Sequence, residues 1–481
     1  MKNLFKVLIA VFVLITGFSC ARVDRTSHKG GNNEENGAVR ARQQEKTDDF
    51  VSADAPDENA TSPIVHYGPK PIQTLHVFIE NSGSMNGYIN VASDFQTAIG
   101  TAIQYMKYQY SSEKINVYYI NQKIYEQDIP QGISLTELYS FIQKMLQRGE
   151  FTTSGTHHHS SSTAATDLNM IIKEILGYVD ENNTAILISD CIYSLPSTKG
   201  DIKKLLNDCK ILTNGAFLEK TRELPMGISL ATNFIQFSSN FAGKYWTWEH
   251  PTGNQYVTLQ CRRPYYMCVI GTDENVNNFN SKIGISDLDG FQNQFTISNK
   301  DVSNANYSVL NSKYKVGTFR PNGSMCIREI TKVKANTVGK FELGIGMDLD
   351  GFSMSETDKT DANNYSIDAG NYSIVRIERI DTTKLTNATD KILIRENHLT
   401  HAIVLACTSY PNDIKISIKR CMPQWVANSS SIDDRNIGKD IEEQTKTFGL
   451  KYFVDGISEA YKYIANDKNN FMTIHVRVKS N

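Results

Sequence analysis

The stretch LHVFIENSGSM, residues 75–85, decides the fold that the sequence predicts. Its first five residues are almost wholly apolar and predict a strand that is buried on both faces of a sheet. Glu80 ends this strand, and Ser82 and Ser84 follow on either side of a glycine. We therefore expect three oxygen-bearing side chains at the carboxyl end of a strand, which is where open α/β sheets bind their ligands. A set of ligands made only of oxygen favours a hard cation such as Mg²⁺.

Two later segments supply the other oxygen groups that such a site requires. Thr166 precedes Asp167 at the start of an amphipathic pattern that predicts a helix. Thr163, in the same polar loop, is an alternative, but Thr166 adjoins the helix. Asp190 ends a second apolar run, residues 184–189, which predicts another buried strand.

The order of these patterns predicts the fold class. Between residues 71 and 285, apolar runs alternate with amphipathic helices, which indicates an α/β domain with a doubly wound, mainly parallel sheet. From residue 286 to residue 481, short β-like segments are separated by Asn, Asp and Gly, which predicts a β-rich domain of the sandwich type. One helix is expected in that second domain, at residues 448–463.

The N-terminal segment has the pattern of an export signal. Lysines at positions 2 and 6 precede an apolar run that ends in Gly17-Phe18-Ser19-Cys20. This resembles a bacterial lipoprotein signal in which Phe18 replaces the usual small residue, and the resemblance implies cleavage before Cys20 and lipid attachment to it. A plain secretory peptide is the alternative. Residues 21–70 contain almost no large apolar side chain and predict a flexible tether, so we expect a lipoprotein of the cell envelope, attached to the outer membrane and periplasmic or surface-exposed.

Composition restricts the functional classes. The chain has 481 residues and a formal net charge of −2, without a basic patch, so it offers no electrostatic surface for nucleic acid. Apart from Cys20 there are seven cysteines, which leaves at least one thiol unpaired. Their spacing contains no pair separated by two residues, which excludes a zinc ribbon, and it leaves disulfides and buried thiols equally open.

Glu80, Ser82, Ser84, Thr166 and Asp190 together resemble the metal-ion-dependent adhesion site of the von Willebrand factor type A domain. That family has Asp-x-Ser-x-Ser after its first strand, a Thr at a helix-opening loop and an Asp at the end of its fourth strand. The resemblance covers roughly residues 71–285 and implies a doubly wound sheet. It also implies that these oxygens hold Mg²⁺, or Mn²⁺ or Ca²⁺, and leave one position for an acidic group of a protein partner. Glu80 replaces the family Asp, and its extra methylene moves the carboxylate by about an ångström, while Mg²⁺ tolerates little change in distance.

These observations predict a protein that is not an enzyme and that binds a protein partner through an acidic residue and the membrane through its lipid anchor. A metal-free structural or envelope-assembly scaffold is one alternative. A metal-dependent hydrolase, with Ser82 as a nucleophile, is another. The sequence around Ser82 contains no Gly-x-Ser-x-Gly elbow that would support the hydrolase.

Overall fold

The computed structural model describes residues 73–110, 114–121, 123–147, 167–195, 200–248, 256–300, 306–350, 352, 354, 356–409, 411–420 and 422–479. All of them belong to one compact unit, Gly68–Asn481. The predicted signal, Cys20, the tether, Thr163 and Thr166 lie outside the described residues.

A seven-stranded sheet forms the centre of the first part of this unit. Its strands in chain order are β1 (Thr74–Glu80), β2 (Ile115–Ile120), β3 (Ile124–Gln127), β4 (Asn183–Ser189), β5 (Leu230–Tyr245), β6 (Val257–Thr272) and β7 (Phe291–Ser298). They lie side by side in the order β3-β2-β1-β4-β6-β5-β7. Only β1–β2 and β1–β4 are parallel pairs, and the other four pairings are antiparallel.

The mixed α/β class that the sequence predicts is confirmed, but the sheet is not mainly parallel. The physical reason is that apolar runs report burial on both faces and carry no information about strand direction. β5 and β6 are long strands that pair with each other along their whole length, from Leu230–Thr272 to Tyr245–Val257. They therefore form an antiparallel hairpin within the region for which the sequence predicts a mainly parallel sheet.

Helices cover both faces of the sheet. The helices in chain order are α1 (Asp94–Gln109), α2 (Leu135–Met145), α3 (Leu168–Leu176), α4 (Ile202–Glu223), α5 (Asp273–Lys282), α6 (Glu356–Thr360), α7 (Ala388–Glu396), α8 (Gln424–Asn428), α9 (Ile441–Gln444) and α10 (Leu450–Ile464). One hydrophobic cluster joins the sheet to α1, α2 and α5, and a second joins the opposite face to α3, α4 and α10. Alternate residues of β1 enter the two clusters, with Val77 in the first and Phe78 in the second, as the pleat of a strand requires.

Local sequence signals account for several of these elements. The apolar stripe of α1 is buried, and a capping box is present before α2 between Ser134 and Glu137. The strand predicted at residues 184–189 is β4, and Asp167 caps the N-terminus of α3 with its side chain.

The remaining strands form two further sheets and a short two-stranded pairing. They are β8 (Tyr307–Val309), β9 (Thr318–Asn322), β10 (Glu329–Lys334), β11 (Phe341–Met347), β12 (Tyr365–Ile367), β13 (Tyr372–Arg379), β14 (His401–Cys407), β15 (Ile414–Lys419), β16 (Ser430–Ser431), β17 (Thr447–Phe448) and β18 (Asn470–Lys479). One sheet has the order β12-β15-β18-β10-β9 and the other β13-β14-β11-β8. A single hydrophobic cluster contains residues of both sheets.

The sequence predicts a domain boundary at residue 285, but segments from both sides of that residue contribute to the seven-stranded sheet and its cover. β7 pairs with β5, and α10 packs against α4 and the sheet. Tyr461 of α10 reaches the sheet through a hydrogen bond of 2.8 Å between its hydroxyl and that of Thr232. The six cysteines among the described residues are free thiols, and no helix in the described ranges has the length and apolar character needed to cross a bilayer.

Candidate functional site

The carboxyl ends of β1 and β4 place two acidic residues at the same edge of the sheet. The two strands are parallel neighbours, with Ile79 opposite Ile188, so Glu80 and Asp190 come at the same edge of the sheet. Both are buried, with 5% and 3% of their surface exposed. The Ser189 hydroxyl donates a hydrogen bond to the Glu80 carboxylate and so joins the two strand ends directly.

The serine turn connects to the second of these acids. The side-chain oxygens of Ser82 and Ser84 lie 3.0 Å apart, and Ser84 begins a short 3₁₀ turn, Ser84–Tyr88. The Ser84 hydroxyl also forms a hydrogen bond with Asp190. A chain of oxygen atoms therefore runs from Ser82 through Ser84 to Asp190.

The backbone around the turn is held by close packing. The Asn121 side-chain amide donates to the side-chain oxygen of Asn81 at 2.9 Å, which ties the turn to the end of β2. Gly87 lies so close to β5 that a Cβ added to Gly243 would come within 2.6 Å of the Gly87 Cα. The turn can approach the strand this closely because neither residue has a side chain.

Asp190 is shaped by its burial and by its neighbours. Burial raises the pKa of Asp190, and this is opposed by the hydrogen bonds from Ser84 and from the Ile192 N–H and by the charge of Arg263. The chain then turns sharply, because Cys191 has a φ of 53° in the left-handed region that side chains rarely adopt. The Cys191 N–H donates to the Ser189 hydroxyl at 2.7 Å, which fixes this turn.

Arg263 is a residue of the site that the sequence analysis missed. β6 runs antiparallel to β4, with Tyr266 opposite Ser189, so Arg263 lies just beyond the end of β4, beside Asp190. Its side chain is buried, with 1% exposed, and its guanidinium lies 4.6 Å from the centre of the Tyr245 ring. The pair Arg262-Arg263 within a strand indicates that one arginine points to each face of the sheet, but which of them is buried depends on contacts with distant parts of the chain.

The guanidinium of Arg263 also anchors the C-terminal part of the chain. It donates to the backbone carbonyls of Gln444 and Lys446, at 3.1 and 3.2 Å. Nearby, the buried Asp434 accepts hydrogen bonds from the Tyr245 hydroxyl at 2.9 Å and from the Trp248 N–H at 3.1 Å. The segment around residues 434–446 therefore packs beside the edge at which Glu80 and Asp190 lie.

Four of the five predicted ligands are brought together at this edge: Glu80, Ser82, Ser84 and Asp190. The atoms that these side chains offer to a metal are carboxylate and hydroxyl oxygens, which fit Mg²⁺ or Mn²⁺ better than a softer metal. In the same turn, the side-chain oxygen of Asn86 is buried and has no hydrogen-bond donor among the described residues. An oxygen in that state is one that a cation or an ordered water would satisfy.

Two features limit how strongly the site attracts a cation. Arg263 already supplies a buried positive charge beside Asp190, and like charges repel strongly where water is excluded. Across the described ranges, no group of three or more His, Cys, Asp or Glu side chains is arranged to hold a metal. The candidate set contains two such residues, and hydroxyl groups make up the rest.

Comparison of the chain with models of protein families, with curated proteins and with solved structures finds no match.

Proposed function

We propose that the chain is a binding protein of the cell envelope whose carboxyl-edge site uses a divalent cation to engage an acidic group of a protein partner. The observation that carries this proposal is the link from the buried Asp190 to the hydroxyls of Ser84 and Ser82, at the sheet edge where the buried Glu80 also ends its strand. When bound, the cation would supply a fixed positive charge to which a partner's carboxylate could coordinate. Glu80, Ser82, Ser84 and Asp190 would hold it, and the family resemblance adds Thr166 to this set.

The finer description of the fold belongs to the same proposal. A von Willebrand factor type A-like domain is supported by the parallel core β2-β1-β4, by the helices on both faces and by the acid at the end of β4. A sandwich in the C-terminal region is supported by the hydrophobic cluster that its two sheets share. Lipid attachment at Cys20 rests on the sequence, and Cys20→Ser should move the protein from the membrane fraction to the soluble fraction.

Calorimetric titration with MgCl₂ and with MnCl₂ tests the cation site. The parent protein should bind one ion, and Asp190→Asn should abolish the binding because it removes a buried carboxylate without changing the side-chain shape. Glu174→Gln is the matched control, since it removes the charge of an exposed carboxylate on α3. The near-ultraviolet circular dichroism of both variants should match that of the parent protein, as a check that they keep the fold. No heat of binding from the parent protein with either ion would reject the cation-dependent function.

A metal-free scaffold is the second candidate, and Arg263 favours it. The buried guanidinium offsets the charge of Asp190 and connects this edge to the C-terminal segment through Gln444 and Lys446. In that case the acids would hold the segment in place and would not recruit an ion. Thermal unfolding that is unchanged between excess Mg²⁺ and EDTA would support the scaffold, because a ligand that binds only the folded state must raise its stability.

A further inference from the structure

The outermost strand of the seven-stranded sheet presents free backbone groups at its outer side. In the described part of the chain, β7 pairs with β5 and ends the strand order. The Asn299 N–H donates to the Leu230 carbonyl. In an antiparallel pair every second residue is hydrogen-bonded to the partner strand, so counting back from Asn299 shows which residues of β7 are bonded to β5. Phe295 therefore directs its backbone groups to β5, while Gln294 and Thr296 direct theirs away. None of the described residues forms a hydrogen bond with the backbone N–H or C=O of Gln294 or Thr296.

A cleft of about 760 Å³ runs along this edge. Among the residues that line it are Phe291, Gln292, Asn293 and Gln294, which are consecutive in β7. Successive side chains of a strand point to opposite faces of the sheet, so a cleft in contact with all four must face the edge of the strand. Its volume lies within the range of ordinary ligand sites.

The two sides of the cleft differ in chemistry. On one side, α5 contributes the polar side chains of Asn277, Asn280 and Ser281. Asn280 is fixed because its side-chain oxygen accepts from the Asn233 amide at 2.6 Å. On the other side, α8 contributes the half-buried ring of Trp425, which packs edge-on against Phe295 at 5.6 Å. A strand placed between them would meet polar groups on one face and an aromatic ring on the other.

The outer wall of the cleft is charged, but its charges are already paired. Arg379 donates to Asp350 at 2.7 Å and to Glu356 at 3.1 Å. Glu356 also contacts the buried His401, whose Nε2 lies 3.1 Å from its carboxylate. Because these groups compensate one another, the wall offers no strong net charge to recognise a ligand, and the unpaired backbone of β7 is the main binding element.

We propose that this cleft binds an extended peptide segment of a partner protein, which adds to β7 as a further strand. The outward N–H and C=O groups of Gln294 and Thr296 recur at the spacing of a strand, and only another extended backbone matches a row of alternating donors and acceptors. The partner segment alternates polar side chains towards α5 with apolar side chains towards Trp425. β4, β6 and β5 separate β7 from β1, so this site is distinct from the carboxyl-edge site and does not depend on a cation.

Selection from a displayed library of random linear peptides of about ten residues, the length of a long strand, tests the proposal on the full chain. Enriched peptides should alternate polar and apolar residues. Gln294→Pro should weaken their binding at least about tenfold, because proline removes the outward N–H and leaves the ladder with β5 intact. Gln294→Ala is the matched control, since it removes the side chain, for which the described residues offer no hydrogen-bond partner, and keeps the N–H.

Hydrogen exchange of the parent protein provides a readout that does not depend on a variant. A selected peptide should slow exchange of the Gln294 and Thr296 amides, while the amides of Asn293 and Phe295, already paired with β5, should change little. The proposal is overturned if no peptide is enriched, if Gln294→Pro and Gln294→Ala bind the selected peptides equally, or if the two outward amides gain no protection. A self-association that Gln294→Pro abolishes would also overturn it, because the occupant would then be a second copy of the chain.

Discussion

The seven-stranded sheet has two edges of interest, and they are built in opposite ways. At the carboxyl edge, side chains define the candidate site, with Glu80, Asp190 and Arg263 all buried. At the lateral edge along β7, the backbone of Gln294 and Thr296 defines it, and the nearby charges pair with one another. A side-chain site depends on which residues end the strands, whereas a backbone site depends on which strand lies outermost.

The same C-terminal chain supports both edges. α10 covers the face of the sheet next to α4, and Phe453 packs edge-on against Phe234 of β5 with ring centres 5.7 Å apart. The segment before it receives the hydrogen bonds of Arg263. The two edges are therefore expected to share one cooperative unit despite their different chemistry.

Truncation after residue 285 should produce the largest effect, because it removes β7 and α10 together. Removal of one buried aromatic side chain costs about 3–5 kcal/mol, and α10 buries both Phe453 and Tyr461. Domains are typically stable by only about 5–15 kcal/mol. We expect a fragment of residues 68–285 to show neither a cooperative thermal transition nor a near-ultraviolet dichroism signal, whereas residues 68–481 show both.

The same truncation can also contradict the expectation that the two edges share one cooperative unit. If the 68–285 fragment unfolds cooperatively and keeps its near-ultraviolet spectrum, the carboxyl edge is stable without the lateral edge. The two would then be separate units, and the contacts of α10 with the sheet would contribute little.

Replacing each of the two adjacent arginines of β6 in turn should show how much more a buried charge contributes to stability than an exposed one. Arg263→Met leaves a buried carboxylate without its cation, and the free energy of unfolding should fall by about 3–5 kcal/mol. Arg262 is about half exposed and pairs with Asp94 at 2.6 Å, so Arg262→Met should cost less than about 1 kcal/mol. Urea denaturation of the two variants measures the difference. Equal losses would show that Arg263 has no special role at the carboxyl edge.

The sequence predicts the parts of this structure that are encoded by neighbouring residues, and it does not predict contacts between distant parts of the chain. The ends of β1 and β4 were predictable because apolar runs and the residues that stop them are adjacent in the chain, and Glu80 and Asp190 do lie at the same edge of the sheet. Arg263 was not, because its hydrogen-bond partner Gln444 lies 181 residues away. β7 was assigned to the C-terminal region because nothing in the short segment FQNQFTIS states which sheet it joins.

The stability of the protein should depend on pH through Asp434, whose buried side chain lies near the carboxyl edge of the sheet. Burial raises the pKa of Asp434 to about 6, against the hydrogen bonds from Trp248 and Tyr245 that lower it. An unfolded Asp has a pKa of about 4, so the folded state holds the extra proton between these values and loses stability as the pH rises from about 4 to about 6. The contribution is about 3 kcal/mol across that window and is constant above it.

Asp434→Asn isolates this contribution, because asparagine cannot titrate, keeps one oxygen to accept from the Trp248 N–H and offers its NH₂ to the Tyr245 hydroxyl, which can accept as well as donate. The difference in unfolding free energy between parent and variant should shift in favour of the variant as the pH rises from 4 to 6. Parallel stability curves would show that Asp434 titrates normally in the folded protein.

The smallest effect should come from Glu80→Asp, which restores the residue of the family that the site resembles. The structure indicates that the site is adapted to glutamate, because the Glu80 carboxylate reaches the hydroxyl of Ser189, which in turn holds the Cys191 N–H. An aspartate is one methylene shorter and would lose this support. Loss of a partner that orients a ligand typically costs about tenfold or more in metal affinity, so Mg²⁺ binding measured by calorimetry should weaken by at least about 1.4 kcal/mol, with Ser189→Ala giving a similar loss. Tighter binding by Glu80→Asp would mean that Glu80 strains the site and lowers its affinity for the cation.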